Sequence, residues 1–206
     1  MIEYLIEKYK VKPEEILVIT FSKAATREMK ERFQSMNTKK RYPVTFGTFH
    51  GIYYGILKWA YRLTSENIFS EEQKYQLLRN IIERMELDIE DEKDFLQGIS
   101  SEISNIKNNQ LKLDEYEAVN CSNNVFCQLY ERYEAERKKY RKLDFDDMLV
   151  LTYDLFRKRP DVLKMWQNKF TYILIDEFQD INKVQYDVIR MIAAPQNNLF
   201  IVGDDD

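Results

Sequence analysis

The stretch YILIDEFQD, residues 172 to 180, runs four mostly apolar residues straight into Asp176, Glu177 and Asp180. Carboxylates this close repel one another, by roughly 4 kcal/mol for unit charges about 4 Å apart at an effective dielectric near 20. A divalent cation relieves that repulsion, and hard carboxylate oxygens suit Mg²⁺. A second acidic run, Asp204, Asp205 and Asp206, follows the apolar stretch LFIVG. Two strands delivering acid to one edge supply the donors of a phosphoryl-transfer site: one carboxylate for a metal's water shell, another to orient or deprotonate an attacking water. Successive strand residues face opposite sides, so Asp176 and Glu177 are expected to divide these tasks. Asp180 has a plainer use, as an acid at the start of a helix beginning near Asn182.

The elements that must position these groups alternate between strand and helix. ILVITF, residues 16 to 21, is apolar and rich in β-branched residues, and reads as a strand buried on both faces. Ser22 can cap the helix that follows, with Ala25, Met29 and Phe33 along one face. VTFGTFH, residues 44 to 50, reads as a second strand ending near Gly47 or Thr48, and Ile52, Ile56, Leu57 and Ala60 then make a helical stripe. From about residue 64 the pattern is helical only, over Glu71 to Leu87, Lys93 to Lys107 and Asp114 to Lys142. Strand and helix then return: a helix over Asp144 to Arg157, the strand YILID, a helix over Lys183 to Ala193 with Val184, Val188, Met191 and Ile192 inward, and the strand LFIVG. Within LDFDDML, Asp144 is expected to cap its helix and Phe145, Met148 and Leu149 to point inward. The pattern predicts an α/β fold: a parallel-sheet domain in two pieces, 1–62 and 140–206, with an all-helical subdomain, 63–139, inserted between them. Ligands of such sheets bind beyond the carboxyl ends of the strands, where all these acids fall.

At 44% hydrophobic and 32% charged, the 206-residue chain fits a globular protein. No apolar run is long enough to span a bilayer, and MIEYLIEKYK is too polar for a signal peptide, so a cytoplasmic location is expected. Cys121 and Cys127 lie far in sequence from the single histidine, His50, which suggests neither a zinc site nor a disulfide framework. A net charge of −4 argues against a bulk basic coat for nucleic acid, so any such site is local. Lys23, Arg27, Lys30, Arg32, Lys39, Lys40 and Arg41 crowd one segment, and Arg137, Lys138, Lys139, Arg141 and Lys142 another. Both can equally be solvated helix faces. Phe21, Ser22 and Lys23 bring a flat ring, a hydroxyl and a cation to one strand end, which suits stacking on bases and phosphate contact without reading sequence. The plainer alternatives are a core aromatic for Phe21 and a helix-start residue for His50.

In order and approximate spacing, ILVITFSKAATREMKERF, FGTFHGI, LDFDDML, YILIDEFQD and LFIVGDDD resemble the motifs of the superfamily 1 DNA helicases of the UvrD/PcrA/Rep family. The resemblance implies a RecA-like P-loop NTPase sheet flanked by helices, here the first motor domain with its helical insertion. It implies ATP and Mg²⁺ as cofactors of the intact parent, with Asp176 holding the metal, Glu177 as general base and Gln179 coupling hydrolysis to DNA. It places Thr20, Phe21, Ser22, Lys23, Thr48 and His50 on the track for single-stranded DNA, implies action at duplex junctions, and suggests 3′ to 5′ movement. LDFDDML marks the return of the chain from the insertion.

The chain also departs from that pattern. Lys23 stands where relatives carry asparagine and Ala24 where they carry lysine. No G-x-x-x-x-G-K-[ST] occurs around any of the five glycines, Gly47, Gly51, Gly55, Gly98 and Gly203. The expectation is a piece truncated at both ends, without nucleotide bound and without ATP hydrolysis of its own. Two other readings stay open. One is a non-catalytic module for single-stranded DNA. The other is a metal-dependent nuclease, which the lack of a lysine or histidine partner within YILIDEFQD disfavours.

Overall fold

The computed structural model describes residues 1–36 and 40–203. Lys39 and the acids Asp204, Asp205 and Asp206 lie outside the described residues. The chain forms two compact units, Met1–Ile56 with Thr152–Asp206, and Leu57–Leu151.

The first unit is built on four parallel strands, β1 (Ile16–Thr20), β2 (Thr45–Thr48), β3 (Tyr172–Ile175) and β4 (Leu199–Ile201), in the order β2-β1-β3-β4. Val18 pairs with Phe46 on one side and Leu174 on the other, and Leu174 in turn with Phe200. All of β1 is buried. Its four apolar side chains contribute about 1.5–3 kcal/mol each, and a strand covered on both faces has no use for alternation, hence the unbroken run ILVI. One sheet face is covered by α1 (Ile2–Glu7) and α2 (Lys23–Met36), where Leu5, Ile16, Val18 and Leu174 cluster with Ile2, Ile6 and Met29. Helix α9 (Lys183–Ala193) buries Val184, Val188, Ile189 and Ile192 completely.

One strand expectation needs correction: β3 ends at Ile175, one residue before Asp176. Among the described residues β4 pairs with β3 alone, and Phe200, Ile201 and Val202 are 41%, 39% and 49% exposed. Helix α8 (Pro160–Lys169) has no counterpart in the sequence reading; its proline takes the first helical position, where no N–H is needed.

The second unit is helical: α4 (Glu71–Arg84), α5 (Glu92–Asn109) and α6 (Asn123–Lys139) enclose Leu78, Ile81, Ile99, Ile103, Phe126 and Leu129. The expected helix from 114 to 142 is shorter. Buried Glu102 accepts the backbone N–H groups of Val119 and Asn120, each at 3.0 Å, which holds that segment in a loop until Ser122 caps α6. The limits of the two units fall inside α3 (Phe49–Tyr61) and α7 (Phe145–Lys158). The sequence-based limits, 62/63 and 139/140, fall close to helix ends, where a change of residue pattern is visible.

Candidate functional site

The C-terminal edge of the parallel sheet collects the ends of all four strands. From β1 come Thr20, Phe21 and Ser22; from β2, Thr48 and then His50; from β3, Asp176 and Glu177; from β4, Val202 and Gly203. Register holds them level: Thr20 pairs with Thr48, and Ile19 with both Gly47 and Ile175. The sheet thus brings together, on one edge of one unit, nearly every site residue expected from sequence.

At β1 the three neighbours have different environments. Thr20 is fully buried, and its hydroxyl donates to the Ser22 carbonyl at 3.0 Å and shares a 2.5 Å hydrogen bond with Thr26. Its side chain is spent inside the unit, where it holds the turn that follows. Ser22 Oγ accepts the Ala25 N–H at 3.1 Å, so the helix cap read from sequence is present. Phe21 is 50% exposed and Lys23 is exposed, which removes the core-aromatic alternative for Phe21. At β2, Thr48 Oγ1 accepts the Gly51 N–H at 3.1 Å and starts α3, while His50 is half-buried in its first turn.

The acid turn after β3 is held by its neighbours. Asp176 donates its N–H to the Ile19 carbonyl at 3.0 Å, Val202 donates to Ile175 at 2.9 Å, and Phe178 donates to Val202 at 3.1 Å. Between them Glu177 has φ of 57°, left-handed, and opens the short 3₁₀ turn Phe178–Asp180. A non-glycine residue held there costs on the order of 1–3 kcal/mol, and such strain gathers at functional sites. The finding corrects the strand-alternation argument: the direction of Glu177 is set by a left-handed turn, not by the pleat. Asp180 is exposed, and the cap of α9 is Asn182, whose side chain accepts the Gln185 N–H at 2.9 Å while Gln185 Oε1 accepts the Asn182 N–H at 2.9 Å. Gly203 lies so close that a Cβ there would meet Gln179 Oε1 at 2.8 Å and Phe178 N at 3.3 Å. The chain just past β4 therefore runs close against the DEFQD turn, and a side chain at 203 would have to displace Gln179.

Asp176 lines a cavity of about 240 Å³ with Val18, Phe33, Leu174 and Arg32. Among the described residues no group of three or more His, Cys, Asp or Glu could hold a metal ion. Two carboxylates are enough for Mg²⁺, which keeps several waters and takes phosphate oxygens as its other ligands. Asp176 and Glu177 therefore fit the metal-and-water half of a nucleotide site. The phosphate-cradling half has no motif within these 206 residues.

The acids of LDFDDML have another fate. Asp144 does cap α7: its Oδ1 accepts the Asp147 N–H at 2.8 Å, and Asp147 Oδ2 returns the bond to the Asp144 N–H at 2.9 Å. Both are buried, as is Lys107, whose Nζ reaches Asp144 at 2.7 Å, Glu134 at 2.8 Å and Asp147 at 3.0 Å. Arg137 joins Glu134 at 2.6 Å and Asp147 at 2.9 Å, and Tyr133 donates to Asp144 at 2.7 Å. Burial alone would raise Asp144, but the Lys107 charge and hydrogen bond outweigh it and hold this carboxyl well below the usual range. Glu134, likewise opposed by burial, is brought down to about 2 by Arg137 and Lys107. In Asp147 burial, then the Asp144 charge, push the carboxyl up to about 7. Met148 and Leu149 are buried as expected, whereas Phe145 is 43% exposed and not inward. Arg137, counted from sequence in a basic surface block, is only 6% exposed and committed to this cluster. Lys138 and Lys139 stay at the surface, with Glu134 at 3.4 Å and Glu136 at 3.8 Å. The cluster was missed because its cations stand on other helices; a lysine and an arginine on otherwise apolar helical faces were the available signal.

A family model described as UvrD/REP helicase N-terminal domain matches residues 1–206. The chain is 36% identical over 213 residues to the putative ATP-dependent DNA helicase YjcD of Bacillus subtilis, covering 98% of the chain and 27% of that protein. It is 34% identical over 213 residues to the ATP-dependent DNA helicase PcrA of Staphylococcus aureus, covering 100% of the chain and 29% of PcrA. It is 35% identical over 199 residues to the ATP-dependent DNA helicase Rep of Escherichia coli, covering 93% and 29%. The chain thus spans less than a third of the length of these relatives.

Proposed function

The chain belongs to the UvrD/REP helicase family, in the part described as its N-terminal domain, and from that premise we propose that it is most of the first motor domain, with its helical insertion, of an ATP-dependent DNA helicase. The parent protein hydrolyses ATP to move along single-stranded DNA and to open duplex at junctions. One observation carries the reading: a single sheet edge presents an exposed ring and cation after β1, Thr48 at the end of β2 with His50 beyond it, and two carboxylates after β3. A motor needs a nucleotide site and a track mechanically joined, and adjacent strand ends are joined by the sheet itself.

When bound, magnesium–ATP would supply the cleavable phosphoanhydride and the charge that offsets the acids. Asp176 would hold the metal through its carboxylate, and Glu177 would orient the attacking water and take its proton. Gln179, beside Gly203, stands between the acid turn and β4 and would relay the state of the site. Phe21 would stack on a base and Lys23 would meet a phosphate, with Thr48 and His50 contacting the same strand further along. Thr20 and Ser22 keep the Phe21 turn in shape.

The test compares ATP hydrolysis by the parent protein with that of the 206-residue chain. The parent should hydrolyse ATP in a magnesium-dependent, DNA-stimulated way, and the chain alone should not. Magnesium-dependent hydrolysis by the isolated chain that vanishes in Glu177→Gln would overturn the assignment of the phosphate cradle to another part of the parent. Cleavage of DNA by the chain with Mn²⁺ would replace the motor reading with that of a nuclease.

A further inference from the structure

Tyr53 is fully buried in the sheet-bearing unit, and its hydroxyl donates to the backbone carbonyl of Gln185 at 2.8 Å. The bond ties α3, which starts directly after Thr48, to the first turn of α9, which starts directly after the DEFQD turn. Contacts extend it at both ends. On the α3 side the Tyr53 ring meets Phe49 edge-on, centroids 6.2 Å apart at 80°, and Phe49 sits between Thr48 and His50. On the α9 side, Gln185 and Asn182 close a reciprocal capping box, and Tyr186 meets Phe178 edge-on at 5.7 Å and 77°. Phe178 follows Glu177, and its N–H is fixed by Val202. A continuous run of packed rings and hydrogen bonds therefore leads from the neighbour of His50 to the neighbour of Glu177 behind the sheet edge, touching neither solvent-facing site.

We propose that Tyr53 is a positioning residue that transmits occupancy of the Thr48–His50 end to the left-handed Glu177 turn, so that DNA binding sets the geometry of the general base. The inference rests on the helicase reading above. Glu177 holds a backbone conformation that its own side chain does not favour, and such a turn keeps its shape only while its surroundings define it. Tyr53 anchors the start of α9, on the side of that turn away from the backbone bonds to Ile19 and Val202.

The experiment is Tyr53→Phe in the parent protein, which keeps the ring and its packing and removes only the hydroxyl. The KM for ATP should stay at the wild-type value, while kcat at saturating single-stranded DNA should fall by about threefold to tenfold, and kcat without DNA by much less. Amide exchange over residues 178–186 should quicken in the variant with DNA bound. A DNA-stimulated kcat equal to that of the wild type overturns the inference, as does an equal loss with and without DNA, which marks a merely structural bond. A parent with Tyr53 intact whose hydrolysis ignores DNA sinks the helicase reading itself, and the inference falls with it.

Discussion

Two groups of carboxylates, equally dense in the sequence, meet opposite ends in this molecule. Asp144, Asp146 and Asp147 fold inward within the helical unit and find cations already waiting: Lys107 and Arg137, with Lys74 at 3.7 Å from Asp146. Asp176 and Glu177 stay half-buried at the sheet edge, on a turn that carries backbone strain. One set is neutralised by the chain itself, and the other, on the function proposed above, faces a nucleotide and its metal. Acidic density in a sequence is therefore no sign of a metal site. What separates the cases is whether the fold returns a lysine or arginine to the same place, and this depends on residues some tens of positions away.

The contrast breaks most visibly if the two sets are damaged in parallel. Glu177→Gln in the parent protein should lower kcat for ATP by about 10²–10⁴, the usual worth of a general base, while its thermal midpoint stays put. Lys107→Met should do the reverse in kind. It leaves buried acids with one cation fewer, and breaking a buried pair costs about 3–5 kcal/mol, read from the urea midpoint of the chain. A large stability loss in Glu177→Gln, or none in Lys107→Met, would erase the distinction between an open and a closed cluster.

The closed cluster has its own signature in pH. Glu134, held down to about 2, gives stability that is present above its unfolded value of 4.5 and lost as pH falls through 2. Asp147, pushed up to about 7, works the other way: its contribution is full below its unfolded value of 3.8 and is lost as pH rises through 7. The two carboxyls titrate in an environment shared with Asp144, so the slope belongs to the cluster. Urea midpoints of the helical unit should therefore decline between about pH 4 and pH 7, and Asp147→Asn should flatten that decline. An identical slope in the variant would assign the dependence to other groups.

Legibility in the sequence follows the same divide between local and assembled features. β1 and β3 could be read because a strand buried on both faces leaves an unbroken apolar run. The Ser22 cap, the Asp144 cap and the start of α3 at GTFH could be read because each is a contact within three residues. Three things could not. The left-handed turn at Glu177 has no residue signature, since the residues on either side of it are held by hydrogen bonds to Ile19 on β1 and to Val202 just past β4. The outward Phe145 shares a helical period with Met148 and Leu149, so the period alone could not show that it is 43% exposed. The place of β4 could not be read either: among the described residues it pairs with β3 alone, and strand order is a property of the assembled sheet.

The smallest effect expected concerns the edge beside the open acids. Phe21 is half exposed, so Phe21→Ala should cost the fold little stability. If the ring stacks on a base, its loss should weaken binding of single-stranded DNA by the parent protein by about 1–3 kcal/mol. Stacking releases no counter-ions, so the salt dependence of binding should keep its slope. Lys23→Ala should instead flatten that slope by about one phosphate's worth, roughly 0.7 for a single strand. Tyrosine or tryptophan at position 21 should restore affinity, because a flat face is all that the contact requires. A Phe21→Ala variant that binds DNA normally but melts earlier would make the ring part of the fold after all, and would return the edge after β1 to the same class as the closed cluster.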